Sequence, residues 1–301
     1  MICATRGEIL RTGQKVQEIL ESLHRRPRWA WIGWIVYAAA VTFPHEQVQR
    51  LVEKIADRLT RPGLYRVSAT IAISLAVVLT VVLWRRLRER LAVSERRRIA
   101  GFWCLTLALI WVTWRIFTAN NTELVHYPQY FPEGAALLAM TLSPVESLSW
   151  IALAAGLDEG YQYWVLYPHR VSALDYNDIY MDLLGGAAGV LFAMAFLKCQ
   201  PRNQPARIWK RPGVLALASV VAMGLVLWST GKMALHQDDP HPHWFALSRQ
   251  RTPFFSVVPA LGPHHIHELT PVEGTLLILL TIGIYAALDR RVRIVMKEDS
   301  R

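Results

Sequence analysis

Eight stretches of the chain carry almost no charge: residues 29–44, 67–84, 99–114, 134–145, 147–157, 183–197, 212–231 and 274–288. Such runs either fill a protein core or face lipid, and composition decides between the two. Apolar residues of the AVILMFWYC set make up 53% of the 301 residues and charged residues only 19%, with a mean hydropathy of +0.23. A soluble domain carries about 25% charge, so the surplus apolar surface has to meet lipid. The expected fold is therefore an all-α polytopic membrane helix bundle of about eight transmembrane helices. A soluble Rossmann or barrel enzyme is excluded. A nucleic-acid-binding module is excluded too, despite a formal charge of +10, because the basic residues form short blocks beside apolar runs instead of covering one face.

Only 67–84 and 212–231 reach the roughly 18 apolar residues that mark a span unaided; the others need polar ends. Two helix starts support the count. Ser143-Pro144-Val145-Glu146 and Thr270-Pro271-Val272-Glu273 each offer an N-cap hydroxyl, Pro at the first helical position and Glu at the third. A helix from Pro144 to Gln162 is about 28 Å long, enough to cross hydrocarbon with Asp158, Glu159 and Gln162 at the far surface. Of the 33 Lys and Arg, 23 fall in residues 1–28, 85–98, 198–213 and 289–301, and 9 in the alternate loops 45–66, 119–126, 163–176 and 229–271. By the positive-inside rule both termini are cytoplasmic. Three units follow: residues 1–98, with a basic N-terminal segment, two spans and an outer amphipathic helix; a four-helix core at 99–197; and 198–301, two spans joined by a His-rich outer loop at 229–271. No apolar stretch precedes Trp29, so no cleavable signal peptide is expected. The N-terminal segment reads either as a basic helix resting on an anionic inner leaflet or as a solvated tail. Residues 45–63 alternate apolar and charged positions with helical period, as an amphipathic helix on the outer interface does. Cys3, Cys104 and Cys199 are widely spaced, none falls in an outer loop, and no structural disulfide is expected.

Polar chemistry concentrates between residues 115 and 190. At 100° per residue, Asp175, Asp178, Asp182, Gly185 and Gly189 share an arc of about 80° on the sixth span. The glycines form a small-xxx-small surface that admits a neighbouring helix closely, and Asn177 is the expected cap. On the fourth span Glu123, His126, Tyr130 and Glu133 share a face if the helix extends back through Pro128; a later start leaves Glu123 and His126 in a loop. On the fifth, Glu159 and Gln162 share a face at the same outer depth. Arg115, Arg170 and a protonated His126 are expected to neutralise part of this cluster. Carboxylates this close have to share protons, which suits acid/base chemistry, cation coordination or hydrogen bonding to sugar hydroxyls. The alternative is an ion-pair network that only closes the bundle's outer end.

The order Glu123-Leu124-Val125-His126 with Tyr130, then Gly156-Leu157-Asp158-Glu159-Gly160-Tyr161-Gln162, then Arg170, Asp175, Asp178 and the glycine-rich Gly185 to Gly189 resembles the VanZ-like family of bacterial membrane proteins. The resemblance covers the third to sixth spans; the first two and last two lie outside it. Many members carry Asn where Asp182 stands, which makes this site the more acidic. The resemblance implies a multi-pass protein of the bacterial inner membrane, in a family named for a member linked to resistance to teicoplanin-type lipoglycopeptides, and it implies no particular reaction or cofactor.

The loop 229–271 holds His236, His241, His243, His264, His265 and His267. His241, His243, His265 and His267 are weak candidates for zinc or copper, since they lack helical i, i+4 spacing and a complete four-ligand signature. A loop that gains charge below about pH 6.5 and plain surface exposure are the other readings. Trp244, Phe245, Phe254 and Phe255 imply that it folds back onto the membrane surface or caps the pocket. Three functional readings follow. The first is an outer-face site for an envelope component such as a lipid-linked sugar, with Glu159, Asp178 and Asp182 on hydroxyls or as acid/base and Arg170 on a phosphate. The second is a non-catalytic subunit that docks a partner membrane protein. The third, an ion or solute carrier, is disfavoured because the acids sit at the outer end and no inverted repeat of the motif region is present.

Overall fold

The computed structural model describes residues 6–118, 121–169, 172–201, 207–251, 253–257 and 265–295. Among them the chain forms helices α1 (Arg6–Arg25), α2 (Pro27–Thr42), α3 (His45–Leu59), α4 (Arg61–Arg90), α5 (Val93–Ile116), α6 (His126–Thr141), α7 (Pro144–Tyr161), α8 (Tyr176–Phe196), α9 (Pro212–Ser229) and α10 (Pro271–Arg291). Six short strands accompany them: β1 (Lys198–Pro201), β2 (Met233–His236), β3 (Phe245–Ser248), β4 (Ser256–Val257), β5 (His265–Ile266) and β6 (Val292–Val295). Each uncharged run lies mainly in a helix of its own, α2 or one of α4 to α10. Five of these, α4, α5, α8, α9 and α10, are long and apolar enough to cross a membrane. α2 and α6 have 16 residues each and α7 has 18.

Both proline-led starts form. The Ser143 hydroxyl accepts from the Glu146 amide at 3.3 Å, and Thr270 makes a full capping box, with the Glu273 carboxylate accepting from the Thr270 amide at 2.9 Å. The first box stays open because its partners are used elsewhere. The Ser143 hydroxyl donates to buried Asp289 at 2.8 Å, and Glu146 pairs with Arg211 at 3.4 Å. These bonds tie the start of α7 to the end of α10 and the start of α9.

α8 is the axis of the bundle. Of the apolar helices it is the one that protein rather than lipid encloses: nearly every residue from Ile179 to Phe196 is buried. α6 packs on it more extensively than any other helix, through the predicted glycine face. A Cβ on Gly185 would stand 2.4 Å from the Tyr127 carbonyl oxygen, and one on Gly189 1.9 Å from that of Phe131. Gly134 on α6 meets the Gly186 carbonyl in the same way. Only glycine permits this approach.

The N-terminal segment forms a helix docked on the bundle and is not a solvated tail. α1 docks against α6 and α8, buries Leu20 and brings His24 Nδ1 within 3.2 Å of the Ala139 carbonyl. Val16, Leu20 and Leu23 of its apolar stripe pack on protein, and Ile19 stays exposed. Strands β1 and β6 pair antiparallel and join the chain beyond α8 to the chain beyond α10. The His-rich loop folds over the opposite end. β2 and β3 pair in parallel, the Leu174 amide donates to the Leu247 carbonyl at 2.9 Å, and the His267 amide donates to the Ile116 carbonyl at 2.8 Å. α3 is the expected amphipathic helix between α2 and α4, with Val48 and Leu51 exposed.

Candidate functional site

The start of α6, the end of α7 and the start of α8 meet at one end of the bundle, where α6 brings His126 and α7 and α8 bring acids. α6 begins at His126, preceded by a 3-10 turn at Asn121–Val125, and runs straight through Pro132. His126, Tyr130 and Glu133 are therefore helical and buried, whereas Glu123 lies in the turn and is half-buried. The intact face proposed for Glu123 to Glu133 is thus shortened by one turn. A 3-10 turn has three residues per repeat, so Glu123 does not continue the α-helical arc.

His126 stands between two acids of α8. Its Nδ1 is 2.9 Å from Asp182 Oδ1 and its Nε2 is 3.3 Å from Asp178 Oδ2. A neutral imidazole carries one N–H and can donate to only one of these carboxylates; an imidazolium donates to both. The three side chains consequently share at least one proton between them. Asp182 is fully buried, and its second oxygen, Oδ2, has no hydrogen-bond partner among the described residues. A buried carboxylate oxygen with no donor is costly, by about 1–3 kcal/mol, unless something supplies one.

The rest of the cluster surrounds this pair. The Tyr130 hydroxyl donates to Asp158 Oδ2 at 3.4 Å, the Gln162 amide donates to Glu159 Oε1 at 2.8 Å, and the Trp34 indole donates to Glu133 Oε1 at 2.9 Å. Asp158, Asp175, Asp178 and His126 are electrostatic neighbours of Glu159; Asp158, Glu133, Glu159 and Asp182 are those of Tyr130. Asp158, Glu159 and Gln162 are 2%, 3% and 7% exposed. The last turn of α7 is enclosed by the surrounding elements, so its polar face turns into the bundle. Glu133 joins the site from the face that spacing had assigned to it, whereas Asp158 joins although spacing did not single it out; the signal available was that Asp158 precedes Gln162 by four residues and shares its face.

Asp175 takes the role expected of Asn177. Its Oδ1 accepts from the Asn177 and Asp178 amides at 2.9 and 3.1 Å and caps α8. Asn177 instead bonds three backbone groups: it donates to the carbonyls of Phe117 at 3.1 Å and His267 at 2.9 Å and accepts from the Leu269 amide at 2.8 Å. Arg115 is exposed on α5 and pairs with none of the acids among the described residues. Arg170 lies outside the described residues. Of Arg115 and His126, His126 is the one that contacts the acids.

The metal candidates do not converge. His241 is exposed, and its carbonyl faces His243 Nδ1 at 2.9 Å. His265 is exposed on β5. His267 is buried, with its ring 4.2 Å from that of Phe254 and its Nε2 3.4 Å from Glu273. His264 lies outside the described residues. Among the described residues no three His, Cys, Asp or Glu side chains are grouped to hold a metal ion. The loop ties down the site end instead: the Arg249 guanidinium donates to the Tyr163 carbonyl at 2.9 Å and lies 4.1 Å over its ring. Burial holds the Tyr163 phenol above its ordinary pKa, with Arg249 acting against that shift. Burial likewise raises Glu268, opposed by His267.

An apolar groove of about 640 Å3 runs down the side of the bundle between α4, α5, α6 and α8. Trp103, Leu107, Ile110 and Trp114 line it along α5, and Tyr127, the neighbour of His126, stands at its end with Gly185 on the floor. Comparison with known proteins finds no matching family model, no matching curated protein and no matching solved structure.

Proposed function

We propose that this chain is a VanZ-like protein of a bacterial inner membrane, with eight crossings and both termini in the cytoplasm, whose acidic cluster faces outward and binds a lipid-linked component of the cell envelope. The observation that carries the reading is a juxtaposition: the His126–Asp178–Asp182 group, with His126 and Asp182 buried, beside an apolar groove between α4, α5, α6 and α8 that Tyr127 and Gly185 help to line. Such a pair suits an amphiphile, with its chain in the groove and hydroxyls or a phosphate ester at the polar end. Asp182 Oδ2 is the acceptor that a sugar hydroxyl would satisfy. The family resemblance points the same way, through its link to lipoglycopeptide resistance. Acid/base chemistry on the bound molecule is within reach of a His held between two carboxylates.

The test uses the purified protein and a polyprenyl-diphosphate-linked disaccharide, with the polyprenol alone as control. Binding of the glycolipid should weaken about tenfold to a hundredfold in Asp182→Asn, the range for loss of one charged hydrogen bond, while the polyprenol is held equally by both proteins. Equal glycolipid binding by the variant would defeat the proposal. A second polypeptide that co-purifies stoichiometrically with both forms, in the absence of glycolipid binding, would make the chain a subunit of a larger assembly.

A further inference from the structure

A second cavity, of about 530 Å3, lies between α7, α9 and α10 at the end of the bundle remote from the acidic cluster. α9 and α10 each pack on α7 far more than on one another, so the space between them is a cleft with Val145 and Ser149 of α7 as its floor and Leu217 and Ile282 on its walls. Its mouth holds Arg290 and Arg291, in the last turn of α10, and Trp209, which is 75% exposed. Neither arginine has an acidic partner among the described residues, whereas the nearby Arg211 is committed to Glu146. Along α10 the cleft extends from Leu279 to Arg290, about 16 Å at the helical rise and close to half of a ~30 Å hydrocarbon layer. The depth is that of one leaflet.

We propose that this cleft is a binding site for an anionic glycerophospholipid, whose phosphate rests on Arg290 and Arg291 and whose acyl chain lies over Val145 and Ile282. Guanidinium groups match phosphate oxygens bidentately, basic pockets between membrane helices hold anionic headgroups, and an exposed indole beside them sits at headgroup level. The apolar walls select a lipid over a soluble anion. The site is independent of the acidic cluster and of any role given to it.

The measurement is native mass spectrometry of the full chain in mild detergent, with phosphatidylglycerol and phosphatidylcholine of identical acyl chains added together. Phosphatidylglycerol should be retained preferentially. In the double variant Arg290→Gln/Arg291→Gln its retention should fall about 30-fold, to the level of phosphatidylcholine, at ~1 kcal/mol for each arginine. Excess inorganic phosphate should displace none of it. Equal retention of the two lipids by the wild type, unchanged retention by the double variant, or displacement by inorganic phosphate would each overturn the proposal, the last by making the arginines a simple anion site. Both arginines are exposed, so the substitution leaves the core intact, and the lipid preference of the wild type is read independently of any variant.

Discussion

Asn177 illustrates how one side chain can hold a site together without belonging to its chemistry. Its amide bonds backbone groups of the segment after α5 and of the segment before α10. Asn177→Ala leaves the buried Leu269 amide without an acceptor and should destabilise the protein by about 3 kcal/mol, read as a lower melting temperature in detergent with earlier proteolysis near residues 265–270. Glu268 carries a pH signature. Its carboxyl is raised by burial, so the native state holds a proton that the unfolded chain has already released, and stability falls as pH rises from about 4.3 through the folded pKa. Glu268→Gln removes this loss. Its melting temperature should gain on the wild type between pH 4 and pH 7, and a constant difference would show that the burial has no such effect. The acids of this end were legible from spacing because a helix places i, i+3 and i+4 on one face. That Asp175 and Asn177 exchange the expected capping role was not legible, because both are good caps and only the approach of two distant segments commits Asn177 elsewhere.

At the scale of elements, α6 and α8 form the unit that sets the geometry of the cluster. Carbonyl oxygens of α6 lie where any side chain at Gly185 or Gly189 would have to go. Gly189→Val should therefore push the helices apart, by a displacement that a packed core resists. The expected result is poor accumulation in the membrane, or a folded protein in which His126 no longer meets Asp182. The check is cross-linking between cysteines placed at Phe131 and Val190: efficient in the parent, weak in the variant. Thr270→Ala should cost about 1 kcal/mol by removing the capping box of α10, visible as a modest drop in melting temperature. The caps at Ser143 and Thr270 were readable because a cap involves four consecutive residues. The docking of α1 on α6 was not, since an amphipathic stripe has the same pattern whether it meets lipid or protein.

For the whole molecule, the eight uncharged runs and the asymmetry of Lys and Arg specify a topology that a simple experiment decides. Reporters fused to either terminus should both read as cytoplasmic, and single cysteines at positions 48 and 241 should be labelled from outside by a membrane-impermeant thiol reagent. Termini on opposite sides would remove the eight-crossing reading. The two apolar cavities occupy different ends of the bundle, one beside the acids and one beside the arginines, so two chemically distinct lipid ligands are expected.

The order of residues alone determined that the chain is helical and apolar enough for a membrane, where two key helices begin, and that acids at helical spacing accompany a glycine face. These are consequences of periodicity, caps and charge, which act over a few residues. Only the tertiary structure decided that His126 lies between Asp178 and Asp182, that the end of α7 turns its acids inward, that α1 docks on protein, and that α9 and α10 leave a cleft whose arginines have no acidic partner among the described residues. Those outcomes depend on contacts between segments far apart in sequence, where many pairings satisfy the same local pattern and packing selects one.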